Sequence, residues 1–100
     1  MPSTRDQALA WLRTKGTAVC VGQRGRPGCC PLANLLRETA NAPDPAVFKE
    51  TYRMNRYSSQ TTRLGQWAIA AVAAVDSGGP RCEEVTAGEL LPIWERIPEQ

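Results

Sequence analysis

A small single α+β domain is the fold this chain predicts, from three observations. Helix-start signals stand ahead of apolar segments with helical periodicity, and short β-branched or alternating runs separate those segments. One hundred residues with 42% hydrophobic content are enough for one core and not for two. The expected architecture over residues 1–100 is about four helices packed on one face of a two- or three-stranded antiparallel sheet.

Each element has its own warrant. Ser3 and Thr4 are N-cap residues with Asp6 and Gln7 three positions on, a capping box for either choice, so a first helix begins there. Its apolar residues Ala8, Leu9, Trp11 and Leu12 recur at helical spacing, and Gly16 is the natural stop. Residues 17–21, TAVCV, are short and β-branched and read as a buried strand. A glycine-rich basic loop follows over residues 22–29. Cys30 then stands at an N-cap, because Pro31 suits the first helical position, where a missing N–H removes nothing the helix would use. Leu32, Leu35 and Leu36 form the buried stripe of this second helix, with Arg37 and Glu38 outward.

The sequence NAPDP at residues 41–45 breaks the pattern. Within residues 46–57, Phe48, Tyr52 and Met54 fall on alternate positions with a polar interruption at Glu50, which favours a half-buried strand, and residues 46–63 together read as a strand or hairpin, with a helix as the alternative. Residues 58–62, SSQTT, read as a polar turn leading into a short edge strand through Arg63. Residues 64–76 are the most strongly helical segment, with Leu64, Trp67, Ala68, Ala71, Val72 and Val75 on one face, and SGGP ends it. Thr86 and Glu89 make another capping box, followed by Leu90, Trp94 and Ile97, with Pro92 placed to kink that last helix. Trp11, Trp67 and Trp94 each lie in a helical segment and read as core anchors.

The four cysteines, Cys20, Cys29, Cys30 and Cys82, are spaced nine, one and fifty-two residues apart, and the chain has no histidine. Paired zinc ligands normally lie two to four residues apart, so no metal site is expected. The plain reading puts Cys20 in a strand core, Cys30 at the helix cap, and Cys29 and Cys82 in partly buried positions. No run approaches the ~20 apolar residues of a membrane span, and the N-terminus lacks the charged start and apolar stretch of a secretion signal. The expected setting is cytoplasmic, with no cofactor.

The net charge of +2 hides an asymmetry. Residues 1–63 hold ten basic against four acidic side chains, a net of +6, while residues 64–100 hold two against six, a net of −4. Such a split reflects either separate solvated faces or a basic surface that meets nucleic acid or an acidic protein patch.

Val21-Gly22, the Cys-Pro-Leu-Ala of residues 30–33, Trp67, the Ala-Val-Asp of residues 74–76 and the Val-Thr-Ala-Gly-Glu-Leu of residues 85–90 resemble a group of small uncharacterised reading frames of actinobacteria and their phages. The likeness spans nearly the whole chain. It implies a mobile-element or phage setting, in which small domains bind a host protein or DNA, and no catalytic residues. Cys29 and the two loop arginines depart from that pattern.

Three functional readings follow. The first is a non-enzymatic binding protein that inhibits or modulates a host protein or protein complex, such as a polymerase, nuclease or defence complex. Its contact surface would hold Arg24, Arg26, Arg53, Arg56, Tyr57 and Arg63, because arginine and tyrosine dominate binding hot spots. The second is nucleic-acid binding, with Arg53, Arg56 and Arg63 on phosphates, Tyr52 or Tyr57 stacking on a base, and Asn55 or Gln60 reaching base edges. A sequence pI near 8.5 is low for a dedicated binder. The third is a thiol or anion site at Cys29-Cys30, where the helix start and Arg24 and Arg26 would lower a thiol pKa. Without a histidine, that thiol lacks the commonest general base.

Overall fold

In the computed structural model, which describes residues 5–98, the chain runs α1 (Arg5–Arg13), β1 (Cys20–Gln23), α2 (Pro31–Thr39), β2 (Ala46–Val47), β3 (Thr51–Arg53), β4 (Thr62–Arg63), α3 (Gln66–Ser77), β5 (Glu84–Thr86) and α4 (Ala87–Glu95). This is an α+β fold with four helices among the described residues. The strands form two antiparallel sheets, the two-stranded β1–β5 and the three-stranded β2–β3–β4. The first sheet joins the two ends of the chain, whereas the second is a local meander, so neither extends the other. Among the described residues no helix is long and apolar enough to cross a membrane.

The core gathers around α2, whose Leu32, Ala33, Leu35 and Leu36 are fully buried. Pro31 occupies the first helical position after an extended Cys30, as the sequence predicts. The helix ends where Leu36 O accepts from the N–H groups of Ala40 (3.0 Å) and Ala42 (3.3 Å). Asn41 makes that reversal in the left-handed region, at φ 54°, which asparagine tolerates better than most residues.

Helix α1 buries Ala8, Leu9, Trp11 and Leu12. It stops three residues short of Gly16, because the Thr14 hydroxyl donates to Trp11 O at 2.6 Å and occupies a carbonyl the next turn would use. The proposed cap residues Ser3 and Thr4 lie outside the described residues. Arg5 fastens α1 to α4 by donating to Ile97 O and Glu95 O, both at 3.1 Å, which places a cation at the C-terminal end of α4. At the other end of α4, Thr86 is the N-cap its sequence predicts, its Oγ1 accepting from Glu89 N–H at 3.2 Å.

The first strand is displaced from its expected position. Residues 17–19 are exposed, Val19 at 46%, and pairing starts at Cys20. Their carbonyls are occupied elsewhere: Thr17 O accepts from Gly88 N–H and Val19 O from Ala87 N–H, each at 2.9 Å. That segment fastens the start of α4 and builds no sheet.

Residues 46–57 are not one strand or a helix but a tight hairpin, closed by Phe48 N–H donating to Thr51 O at 2.8 Å. Val47 pairs with Tyr52 and Ala46 with Arg53, so Val47 and Tyr52 share the core face and Arg53 the outer one. The expected edge strand at Arg63 is present, opposite Thr51.

The charge asymmetry is partly resolved inside the molecule. Arg13 meets Glu95, and Arg24 meets both Glu83 and Glu89, so basic residues of the front pair with acidic residues of the back.

Candidate functional site

The loop between β1 and α2 is tied down at three points. Gln23 N–H donates to Cys29 O (2.8 Å), Cys29 N–H to Arg26 O (3.0 Å), and Val47 N–H to Pro27 O (2.9 Å). The third bond hangs β2 on the loop, so loop and hairpin form one continuous face.

Two glycines let distant arginines lie across this loop. Gly25 has φ +69°, and a Cβ there would stand 3.0 Å from Arg81 Cγ; the Arg81 Nε–H donates to Gly25 O at 3.4 Å. Gly28 lies beneath Arg56, and a Cβ there would collide with its Nη2. Arg81, which the sequence places in the acidic part of the chain, thereby joins Arg26 and Arg56 around an open cleft of about 270 Å³. Cys29, Ala46 and Phe48 line it as well.

The three guanidiniums are largely uncommitted. Arg56 Nε is held 3.0 Å from Asp44 Oδ2, Arg81 uses only its Nε, and Arg26 makes no side-chain hydrogen bond or ion pair among the described residues. Guanidinium stays charged at all physiological pH values and presents N–H donors in a planar fork, so this cleft is furnished to hold an oxyanion. Of its lining residues Phe48 is 41% exposed, and Tyr57, which follows Arg56 in the chain, is 85% exposed.

Of the surface residues expected from sequence, Arg26 and Arg56 meet in the cleft, and Arg53 and Arg63 share the outer face of the hairpin sheet. Arg53 donates to Thr61 Oγ1 (3.1 Å) and Arg56 O (3.3 Å), and Arg63 lies 3.6 Å from Glu50. Arg24 is a correction. It is only 4% exposed and donates to Glu83 Oε1 (3.0 Å), Val75 O (2.7 Å) and Glu89 Oε2 (3.4 Å), which makes it an internal tie and no part of a surface.

One residue of the nucleic-acid alternative is corrected in the same way: Tyr52 is 7% exposed on the core face of β3, where it cannot stack on a base. Asn55 is half-buried, and its Oδ1 accepts from Tyr57 N–H at 3.0 Å in the turn after β3. Gln60 is exposed.

The cysteines also differ from expectation. Cys20, Cys29 and Cys82 are exposed, and Cys30 is buried. Its side chain makes no capping hydrogen bond, and burial pushes its pKa up from 9.0 to about 11, against the lowered value expected at a helix start near arginines. Desolvation of a thiolate outweighs the helix end here because the group faces the core. Among the described residues no three His, Cys, Asp or Glu side chains are placed to share a metal ion.

A prediction follows for Cys30. In the native protein at pH 8, iodoacetamide should modify Cys20, Cys29 and Cys82 and leave Cys30 unmodified, as read by peptide mass spectrometry. Because the folded pKa lies above the unfolded one, the neutral thiol's contribution is complete below about pH 9 and is lost as pH rises toward 11. Urea midpoints of wild type should therefore fall across that window more than those of Cys30→Ala.

Fold and site define a small α+β domain with an arginine-lined cleft bordered by the exposed ring of Phe48. No protein-family model, curated protein or solved structure matches the chain.

Proposed function

We propose that this chain is a binding protein that contacts an acidic surface on a protein partner through the face made by the loop, the hairpin and Arg81. The observation that carries this reading is one cleft lined by three arginines with spare donors and by the exposed ring of Phe48, with the exposed Tyr57 next to Arg56 in the chain, residue types that are frequent in protein–protein hot spots. Guanidiniums do not exchange protons near neutral pH, so the cleft is equipped to hold and orient and not to act as acid or base. Taken with the resemblance carried by residues 30–33 and 85–90, the reading extends to a host protein or complex as the partner, which the domain would inhibit or modulate in the host cytoplasm. Nucleic acid is the less favoured partner, because Tyr52 is a core residue and the cleft beside the arginines is bordered by the carboxylates Glu50 and Asp76.

The test is an affinity capture from host lysate, treated with nuclease, by wild type and by Arg26→Glu and Tyr57→Ala variants. Neither side chain has a hydrogen bond or ion pair among the described residues, so both variants should keep the wild-type thermal midpoint within a few degrees. A stoichiometric protein retained by wild type should be depleted at least tenfold by Arg26→Glu. Recovery of nucleic acid alone, or equal capture by all three proteins, refutes the reading.

A further inference from the structure

We infer that the three-arginine cleft receives the phosphate group of a phosphorylated side chain on the protein partner. The inference deepens the proposed function and rests on it.

The argument begins with charge. Arg26, Arg56 and Arg81 come from the loop, the turn after β3 and the segment before β5, and they line one cleft with a single carboxylate, Asp44, paired to one of them. Three cations brought together by the fold repel one another unless an anion joins them, and a group carrying close to two charges offsets that repulsion better than a carboxylate does. A phosphate monoester carries about −1.5 to −2 at neutral pH and three acceptor oxygens, a match for guanidinium forks.

Size and surroundings narrow the ligand further. The cleft is open and about 270 Å³, at the small end of ligand sites, so it suits one group with the rest of its bearer left outside. Ala46 and the exposed Phe48 form an apolar wall for the stem of a side chain. An adjoining cleft shares Arg26 and Phe48 but is bordered by Glu50 and Asp76. A polyanionic nucleic-acid backbone leaving the arginines in that direction would meet these carboxylates, whereas one isolated dianion would have only Asp44 nearby, already paired with Arg56. The surroundings thus favour a single phosphorylated residue over a nucleic acid.

Gly28 supplies an internal lever. A methyl group there would push aside only the flexible end of Arg56, which moves one of the three cations without touching the core.

The experiment uses the full chain on a surface, presented with degenerate peptide pools built around phosphoserine, phosphothreonine or phosphotyrosine, the same pools unphosphorylated, and a 5′-phosphorylated oligonucleotide. At least one phosphorylated pool should be retained tenfold or more above its unphosphorylated counterpart, and inorganic phosphate should compete. Arg26→Gln and Gly28→Ala should each lower that retention about tenfold with circular dichroism and thermal midpoint unchanged. Bound phosphopeptide should slow iodoacetamide alkylation of Cys29, which lines the cleft, and not of Cys20, which lies on β1. Equal retention of phosphorylated and plain pools, preference for the oligonucleotide, or unprotected Cys29 overturns the inference. If a partner captured through Arg26 binds equally well before and after phosphatase treatment, the phosphate inference fails while the protein-partner reading stands.

Discussion

Replacing Arg24 with alanine should lower stability by about 3 kcal/mol, although exposed arginines ordinarily change it by less than ~0.5 kcal/mol. The side chain is almost wholly enclosed, and its three hydrogen bonds reach α3, the residue before β5 and the first turn of α4. Its backbone is tied in as well, with Arg24 N–H donating to Glu83 O (2.9 Å) and Arg24 O accepting from Cys82 N–H (2.7 Å). The partners set the size of the effect. Glu83 and Glu89 are about half exposed, so once unpaired they are rehydrated at little cost. Val75 O keeps a bond from Gly78 N–H at 3.2 Å.

What is lost is the packing of the buried stem and the charge-assisted bonds, each ~1.5–3 kcal/mol when made to a charged group and not replaced. In a domain of this length, that loss corresponds to a fall in thermal midpoint on the order of 10–20 °C. Arg24→Met, which keeps the stem, should recover part of the loss. Arg24→Lys should recover less than half of the hydrogen-bonding contribution, because one ammonium cannot span three acceptors in different directions. Glu83→Gln and Glu89→Gln should each shift the midpoint by no more than a few degrees. A midpoint for Arg24→Ala equal to wild type would return Arg24 to the surface list.

Arg24 and Arg81 also show why the fold was more legible than the site. The helices announce themselves locally: the Pro31 start with its leucine stripe, the tryptophan face of α3 and the Thr86 cap are each set by residues within a turn or two of one another. The two arginines are set by partners far away in sequence. Arg24 sits in a loop of glycines and charges, which reads as exposed, yet its acceptors lie 51 to 65 residues ahead. Arg81 sits among acidic residues and is recruited to the cleft by a glycine 56 residues behind it. Charge counting along the chain exchanges their roles, since nothing local separates a tie from a ligand contact.

The strands fail for a related reason. The hairpin turn after Val47 is made by Phe48, Lys49 and Glu50, with no glycine, proline or asparagine to mark it, so the alternation of apolar residues runs through the turn unbroken. Residues 17–19 have the β-branched character of a strand, but their carbonyls are claimed by the start of α4. Strand propensity describes a residue that fits a half-buried pleated surface, and only tertiary pairing decides whether such a surface is there.

Trp94→Ala should be the most damaging single substitution, with a loss of about 3–5 kcal/mol. Trp94 is 0% exposed and packs edge-on against Trp67, with ring centroids 5.4 Å apart and planes at 78°. That contact joins α4 to α3, and α1 hangs on the same end of α4 through Arg5. Against a total stability of ~5–15 kcal/mol for a small domain, that loss removes a large share of the total and should appear as a much lower urea midpoint with a shortened native baseline. The indole Nε1 atoms of Trp94 and Trp67 have no hydrogen-bond partner, which makes the polar handle a liability where each ring sits.

Trp94→Phe should therefore be far milder than its lost volume implies. It removes an unpaired buried donor, a group whose burial costs ~1–3 kcal/mol, and that gain offsets much of the cavity left behind. A double-mutant cycle of Trp67→Leu with Trp94→Leu, which removes each aromatic face, should show an edge-to-face coupling of ~0.5–1.5 kcal/mol. If Trp94→Phe destabilises as strongly as Trp94→Ala, the indole N–H is making a bond, and α4 is held to the core by a polar contact in addition to ring packing. Unlike Arg24→Ala, which breaks ties at the ends of three elements, Trp94→Ala empties the centre they surround. Capture of a partner at the arginine cleft should survive Trp94→Phe and fail with Trp94→Ala at temperatures where that variant is unfolded.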